Sequence, residues 1–194
     1  VPLENDRILD PTRILSVIPF IKELIKKNAK IVLISHLGRP KSKKDTKFSL
    51  VPIFQFLKEN IRTKIYFHSE NVDEETKSKS LNLQKGEILL LENIRFFKGE
   101  TENDEKFSKK LSELGDLYIN DAFSCSHRKQ ASVHKITHFI KDSYAGPLIK
   151  KEIEAINLIL KNKKSPVTCI IGGSKISSKI NVILNLLRNV ENII

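Results

Sequence analysis

Apolar residues recur at helical spacing in the first stretch of the chain. Between Pro11 and Asn28 they repeat every three or four positions, as in an amphipathic helix. Asp10 is a suitable N-cap, and proline is favoured at the first helical position. The pattern therefore predicts a helix over residues 11–28 that buries one face.

Short continuous apolar runs then alternate with amphipathic segments. The runs predict four strands, over residues 29–35, 64–68, 87–93 and 116–121. The amphipathic segments predict helices at 49–60, capped by Ser49, and at about 103–114, whereas the polar segment that begins at Glu70 predicts turns. Apolar strands that alternate with helices are typical of a parallel sheet covered on both faces. The predicted fold class is therefore α/β, a three-layer parallel sheet with helices on both faces.

The pattern restarts after Gly146. The segment PLIKKEIEAINLIL predicts a long helix, and PVTCIIGG followed by KISSKINVILNLLRN predicts the first strand and helix of a second α/β unit. The closing residues VENII resemble the beginning of another strand. We expect a first lobe over residues 1–146, a connecting helix and linker over 147–165, and the incomplete start of a second lobe over 166–194.

Composition narrows the function classes. Of 194 residues, 40% are hydrophobic and 29% are charged, as in a folded globular protein. No apolar run approaches the roughly 20 residues of a membrane span, and the start of the chain has no signal-peptide layout. Cys125 and Cys169 lack paired or metal-type spacing, which favours reduced thiols. We therefore expect a cytoplasmic protein with no membrane partner.

The net charge of +11 allows two kinds of anionic partner, nucleic acid or small acids. The lysines are scattered, no tail is rich in arginine, and basic residues do not alternate with aromatic ones that could stack on bases. We therefore expect no nucleic-acid partner. A basic nucleic-acid-binding domain is a hypothesis that rests on charge alone, and we rank it below the enzyme and the anion-binding module considered below.

Basic residues follow three of the predicted strands, where ligands bind in parallel α/β sheets. They are His36 and Arg39 after the first strand, with Gly38 between them, Arg95 after the third, and His127 and Arg128 after the fourth. With Arg7 before the first helix, four arginines are expected at one edge of the sheet. A guanidinium matches the geometry of carboxylate and phosphate. The arrangement predicts a site for a small, multiply charged acid or phosphoester, in which His36 contacts the anion and neither histidine is an acid–base catalyst.

The segment IIGGSKISSKI predicts a second anion contact. Gly172 and Gly173 would let backbone N–H groups approach an anion at a helix start. Lys175 and Lys179 are four residues apart and would share one helix face. The segment is neither a Walker loop nor a dinucleotide-binding fingerprint, so a tight turn with exposed lysines is the alternative. No spacing of histidines or cysteines indicates a metal site.

Four stretches in this order, SHLGRP, LLENIRFF, INDAFSCSHRKQAS and GGSKISSKI, resemble phosphoglycerate kinase. The segment AGPLIKKEI also matches that family's approach to its interdomain helix, so the resemblance runs nearly end to end. It implies a two-lobed glycolytic kinase that transfers a phosphoryl group reversibly between 1,3-bisphosphoglycerate and ADP, giving 3-phosphoglycerate and ATP. The implied cofactor is Mg²⁺ with the nucleotide, the implied partners are these small molecules, and the implied state is a monomer.

The resemblance also implies roles for individual residues. Arg7 matches the arginine that stabilises the phosphoryl group in flight, and Lys179 is the second catalytic residue. The residues that match the substrate-binding positions, besides Arg7, are His36, Leu37, Gly38, Arg39, Arg95 and Arg128. The residues that match the nucleotide-binding positions are Gly172, Gly173, Ser174, Lys175 and Lys179. No metal ligand is implied within this chain.

Several positions depart from the family pattern. Ser124 stands where glycine is usual, Lys129 and Gln130 replace alanine and histidine, and Ser174 replaces alanine. The family's opening Asp and Asn contacts, its glycine-rich nucleotide loop and its magnesium-binding aspartate are missing. We therefore expect a chain truncated at both ends and inactive alone. The alternative is an inactive anion-binding remnant or interaction module from a truncated gene.

Overall fold

A computed structural model describes residues 1–42, 45–161, 165–173, 179–187 and 190–194, with the backbone alone at 159–161. The chain divides into two compact units, Val1–Leu148 and Ile149–Ile194. Each unit contains its own parallel strands.

The first unit opens with a two-stranded antiparallel hairpin. Strands β1 (Leu3–Glu4) and β2 (Arg7–Ile8) pair across a two-residue turn. Asn5 and Asp6 form this turn with φ values of 46° and 60°. Their short polar side chains tolerate the left-handed region better than most residues, as such hairpin turns require.

Two helices replace the single helix predicted over residues 11–28. They are α1 (Thr12–Leu15) and α2 (Ile18–Lys26). Pro19 lies in the first turn of α2, where a missing N–H is tolerated, whereas the interior of a longer helix would not accept it. Helix α1 starts one residue later than predicted, with Pro11 at the N-cap position, and the Asp10 carboxylate accepts a hydrogen bond from the N–H of Thr12 at 2.9 Å.

Three parallel strands form the central sheet, with β5 in the middle. The elements of this region are β3 (Ile31–Leu33), α3 (Val51–Asn60), β4 (Ile65–His68), α4 (Glu74–Asn82) and β5 (Ile88–Leu91). The strand order is β3-β5-β4, and both neighbours run parallel to β5. The first three predicted strands and the helix after Ser49 are confirmed.

The polar segment after Glu70 contains α4, which the sequence pattern did not predict. Asp73 caps this helix by accepting hydrogen bonds from the N–H groups of Glu75 and Thr76 at 3.0 and 3.3 Å. The hydroxyl oxygen of Thr76 in turn accepts a hydrogen bond from the N–H of Asp73 at 3.2 Å, which completes a capping box. The helix buries Thr76 and Ser80 instead of large apolar residues, so it has no strong hydrophobic period.

The rest of the first unit is mostly short elements. They are α5 (Lys98–Thr101), α6 (Glu105–Ser112), β6 (Tyr118–Asn120) and β7 (Ser143–Ala145), with 3-10 turns at Thr46–Phe48, Ile94–Phe96, Phe123–Cys125 and Lys135–His138. The predicted fourth strand is β6, and it pairs in parallel with β7 in a separate two-stranded ladder. Strand β7 is exposed and lacks an apolar run, which is why the sequence did not indicate it.

Two hydrophobic cores lie on opposite faces of the central sheet. Ile88 and Leu90 pack into a core with apolar residues of α1, α2 and α3. Leu89 and Leu91 belong to the other core, which includes Leu111 of α6. Because side chains alternate along a strand, β5 is buried on both faces. The predicted three-layer α/β fold class is confirmed.

The second unit follows the predicted order of elements. Its elements are α7 (Pro147–Lys161, which starts at the end of the first unit), β8 (Thr168–Cys169), α8 (Ile180–Leu186) and β9 (Asn192–Ile193). Strands β8 and β9 pair in parallel. Within the described ranges, no helix has both the length and the apolar character needed to cross a membrane.

Candidate functional site

A cavity of about 450 Å³ lies at the carboxyl end of β3. The segment after β3, the 3-10 turn after β5 and the start of α1 contribute its walls. The described lining residues are Val1, Pro2, Asp10, Arg13, His36, Leu37, Gly38, Arg39 and Arg95. Because β3 and β5 are parallel, their carboxyl ends share one edge of the sheet, and five of the predicted substrate-binding residues meet there.

The arginine that the N-terminal segment contributes to the cavity is Arg13. Arg7 lies exposed in β2 and is not among the described lining residues. Sequence reasoning missed Arg13 because it lies within the first predicted helix, whereas the predicted site residues follow strands or, like Arg7, precede that helix.

Arg128 adds its charge without lining the cavity. It follows the turn Phe123–Cys125, and its N–H donates to the carbonyl oxygen of Cys125 at 2.9 Å. Its guanidinium is close enough to lower the pKa of both His36 and Arg95. Of the four arginines predicted to meet at this edge, Arg39 and Arg95 line the cavity and Arg128 lies within electrostatic range of it, whereas Arg13 and not Arg7 is among the described lining residues. His127, beside Arg128, is exposed.

His36 is a neutral ring at pH 7. Burial, and after it the charges of Arg95 and Arg128, lower the pKa of His36 to about 4. Burial also lowers the pKa of the Arg95 guanidinium, with Arg128 adding to the effect, although an arginine stays charged. Like charges crowd this cavity, and among its described lining residues Asp10 is the acidic one. An anionic ligand would relieve the repulsion.

The segment after β3 requires glycine at position 38. Gly38 has a φ of 60°, in the left-handed region that other residues rarely adopt. A Cβ atom at this position would overlap the ring of Phe48. The Gly38 carbonyl oxygen accepts a hydrogen bond from Nη1 of Arg95 at 2.8 Å, so the loop and the arginine fix each other.

The predicted nucleotide contacts lie in the second unit and are partly described. Lys179 lies at the start of α8, and its Nζ donates to the carbonyl oxygen of Gly172. Gly173 has a φ of 123°, which favours glycine. Ser174 and Lys175 lie outside the described residues. Across the described ranges, no group of three or more His, Cys, Asp or Glu side chains could hold a metal ion.

Comparisons with known proteins identify the family to which the chain is similar. The family model described as phosphoglycerate kinase matches residues 1–194. The phosphoglycerate kinases of Leptospira biflexa and Buchnera aphidicola are 43% and 45% identical to this chain, in each case over 100% of it and 49% of the relative. The chain therefore spans about half the length of the curated relatives it matches.

Solved structures of the same family have the same fold. The structure of phosphoglycerate kinase from Coxiella burnetii matches with a TM-score of 0.87 at 35% identity, over 100% of this chain and 48% of that one. The enzyme from Pyrococcus horikoshii matches with a TM-score of 0.86 at 30% identity, over 99% of this chain and 49% of that one.

Proposed function

The chain belongs to the phosphoglycerate kinase family, and from that premise we propose that its first unit binds the acid partner of a phosphoryl transfer. The acid is 3-phosphoglycerate, and its phosphorylated form is 1,3-bisphosphoglycerate. The nucleotide partner is ATP or ADP. We assign acid binding to residues 1–146, nucleotide binding to residues 166–194, and the connection between them to 147–165.

The observation that carries this proposal is the convergence of three arginines on one cavity. Arg13, Arg39 and Arg95 line it together with the neutral ring of His36. A ligand with a phosphate and a carboxylate would neutralise these charges through charge-assisted hydrogen bonds. The cavity volume of about 450 Å³ suits a small molecule.

The residue types suit this chemistry. In the direction that consumes ATP, a carboxylate oxygen of 3-phosphoglycerate attacks the terminal phosphorus, and the bond from that phosphorus to the ADP oxygen breaks. A carboxylate is already a nucleophile, so positioning and charge neutralisation carry the reaction and no general base is needed. We propose that Arg13, not Arg7, contacts the transferring phosphoryl group, because Arg13 lines the cavity.

The second unit would supply contacts to the nucleotide phosphates. Gly172 and Gly173 allow a close approach to the backbone, and Lys179 would exchange its bond to the Gly172 carbonyl for one to a phosphate oxygen. Mg²⁺ accompanies the nucleotide in this family. The described residues offer no cluster that fits the ion, so we assign it no ligand among them.

The alternative hypothesis, an inactive anion-binding remnant or interaction module, differs from the kinase in lacking catalysis. We propose that residues 1–194 alone do not catalyse phosphoryl transfer between ATP and 3-phosphoglycerate. This activity requires a complete nucleotide-binding lobe. We also propose a cytoplasmic monomer.

Calorimetric titration of the chain with 3-phosphoglycerate tests the proposal, with D-glycerate as the control ligand. We expect binding of 3-phosphoglycerate alone, because glycerate lacks the phosphate that the arginines would contact. We also expect the affinity to fall steeply between low and high salt, since exposed charges are screened. Equal binding of both acids, or no binding of either, would contradict the proposal.

A further inference from the structure

Asn93 is completely buried directly after β5 and uses every polar atom of its side chain. Its exposed fraction is 0%. Nδ2 donates to the carbonyl oxygen of Leu37 at 2.8 Å and to that of Phe48 at 2.9 Å, and Oδ1 accepts from the N–H of Arg95 at 3.1 Å. One amide therefore joins the cavity loop, the turn before α3 and the backbone of a cavity arginine.

The neighbouring residue holds Asn93 in place. Glu92 is nearly buried, and its carboxylate accepts hydrogen bonds from Ser49 Oγ, the N–H of Leu50 and the N–H of Asn93, each at 2.7 Å. These three hydrogen bonds fix the Glu92 carboxylate between Ser49, the start of α3 and the backbone of Asn93. The Glu92 carboxylate therefore also fixes the backbone at Asn93.

These bonds set the orientation of two successive peptide groups in the loop. The Leu37 carbonyl faces Asn93 and the Gly38 carbonyl faces Arg95. In a trans peptide the N–H points opposite to the C=O. The N–H groups of Gly38 and Arg39 therefore point away from Asn93 and Arg95. In the described part of the chain, neither N–H has a protein acceptor.

We propose that Asn93 is a positioning residue that preforms the phosphate-binding loop 36–39. Because Asn93 is buried, it acts through Leu37 and Arg95 and does not touch the ligand. The consequence is a loop whose backbone donors and arginines are already oriented before the ligand arrives. This inference rests on the proposed function, because it assumes that the cavity binds a phosphorylated acid.

The variant Asn93→Asp tests the inference. It keeps the shape of the side chain but turns a carboxylate oxygen toward two carbonyl oxygens, so two hydrogen bonds become repulsive contacts. We expect affinity for 3-phosphoglycerate to fall by about tenfold or more. Asn60→Asp is the matched control, because Asn60 Nδ2 donates to the Phe56 carbonyl at 2.8 Å at the end of α3, outside the cavity lining. We expect that variant to bind within about twofold of the unaltered chain.

A second measurement needs no variant and separates positioning from general stability. Backbone ¹⁵N relaxation of the unaltered chain reports the order of residues 36–39 on the picosecond to nanosecond timescale. We expect these amides to be as ordered in the free chain as with saturating 3-phosphoglycerate. We also expect slow hydrogen exchange of the Asn93 side-chain amide in both states.

The outcomes separate this inference from the proposed function. No binding of 3-phosphoglycerate to the unaltered chain would overturn the proposed function and the inference with it. Normal binding by the unaltered chain and by Asn93→Asp would overturn the inference alone. A loop that is mobile in the free chain and ordered only by the ligand would also overturn it, even if Asn93→Asp failed to fold.

Discussion

Arg95 donates a hydrogen bond from Nη1 to the carbonyl oxygen of Gly38 across 2.8 Å. Its other terminal nitrogen, Nη2, lies 3.5 Å from Oε1 of Gln130. The protein therefore holds the guanidinium plane through two acceptors on different segments of the first unit. Because the plane is fixed, Arg95 would offer its remaining donors to a ligand at little further cost in side-chain entropy.

This geometry predicts that charge alone cannot replace Arg95. Lysine at this position keeps the positive charge but lacks the planar fork, so it cannot bond Gly38 and an anion in the same arrangement. We expect Arg95→Lys to weaken 3-phosphoglycerate binding by about tenfold in calorimetry. Arg62→Lys, at an exposed arginine outside the cavity lining, is the control. Unchanged affinity in Arg95→Lys would show that orientation is unimportant.

Gly38→Ala should destabilise the first unit as well as the site. Alanine at a φ of 60° is strained, and its Cβ would overlap the Phe48 ring. We expect a loss of about 1–3 kcal/mol in the free energy of unfolding, measured by urea denaturation. Gly115→Ala is the control, because the nearest atom to a Cβ there is 3.8 Å away and Gly115 is not among the positive-φ residues. Equal stability of the two variants would contradict the assigned strain.

The central sheet could be predicted from the sequence, because burial on both faces leaves a clear pattern. The run from Ile88 to Leu91 is continuously apolar, and its residues enter the two cores in alternation. Helix α4 could not be predicted in this way. It buries the hydroxyls of Thr76 and Ser80, and those residue types carry no hydrophobic period.

The lining of the cavity was predictable where its residues follow strands. His36, Arg39 and Arg95 come directly after β3 and β5, so the rule that ligands bind at carboxyl ends of strands applied to them. Arg13 reaches the same cavity from α1, a relationship set by tertiary packing. Arg7 was predicted instead, because it precedes the first predicted helix and was matched to the family's catalytic arginine by resemblance. Arg7 follows the turn at Asn5 and Asp6 and is exposed in β2.

The pKa of His36 predicts how stability depends on pH. The folded-state pKa of about 4 lies below the ordinary value of 6.5, so between these values the unfolded chain binds a proton that the folded chain does not. Stability should therefore be full above pH 6.5 and decrease as the pH falls toward 4. Solvent screening of this partly exposed ring limits the loss to no more than about 2 kcal/mol.

NMR titration of the His36 ring, with urea unfolding across the same range, checks this prediction. In His36→Gln the stability difference between pH 6.5 and pH 4 should shrink, which separates His36 from other titrating groups such as Glu100. A bound phosphorylated acid should raise the His36 midpoint, since a negative charge favours the imidazolium. A midpoint near the ordinary value in the free chain would contradict the described burial.

Kinase activity should be absent from residues 1–194 alone. Phosphoryl transfer requires the acid and the nucleotide to be held in line, and that positioning supplies most of the acceleration. We expect no turnover in a coupled assay with MgATP and 3-phosphoglycerate, and turnover after a C-terminal lobe from a relative is added. Activity of the purified chain that disappears in Arg13→Ala would contradict this expectation.

The most direct test of the central claim compares Arg13→Ala with Arg7→Ala. Both variants remove one exposed arginine near the start of the chain, but only Arg13 lines the cavity among the described residues. Calorimetric titration with 3-phosphoglycerate at low salt should show a loss of about 1–3 kcal/mol in binding free energy for Arg13→Ala. Arg7→Ala should bind as the unaltered chain does. A loss confined to Arg7→Ala, or equal affinity in both variants, would contradict the placement of the acid in this cavity.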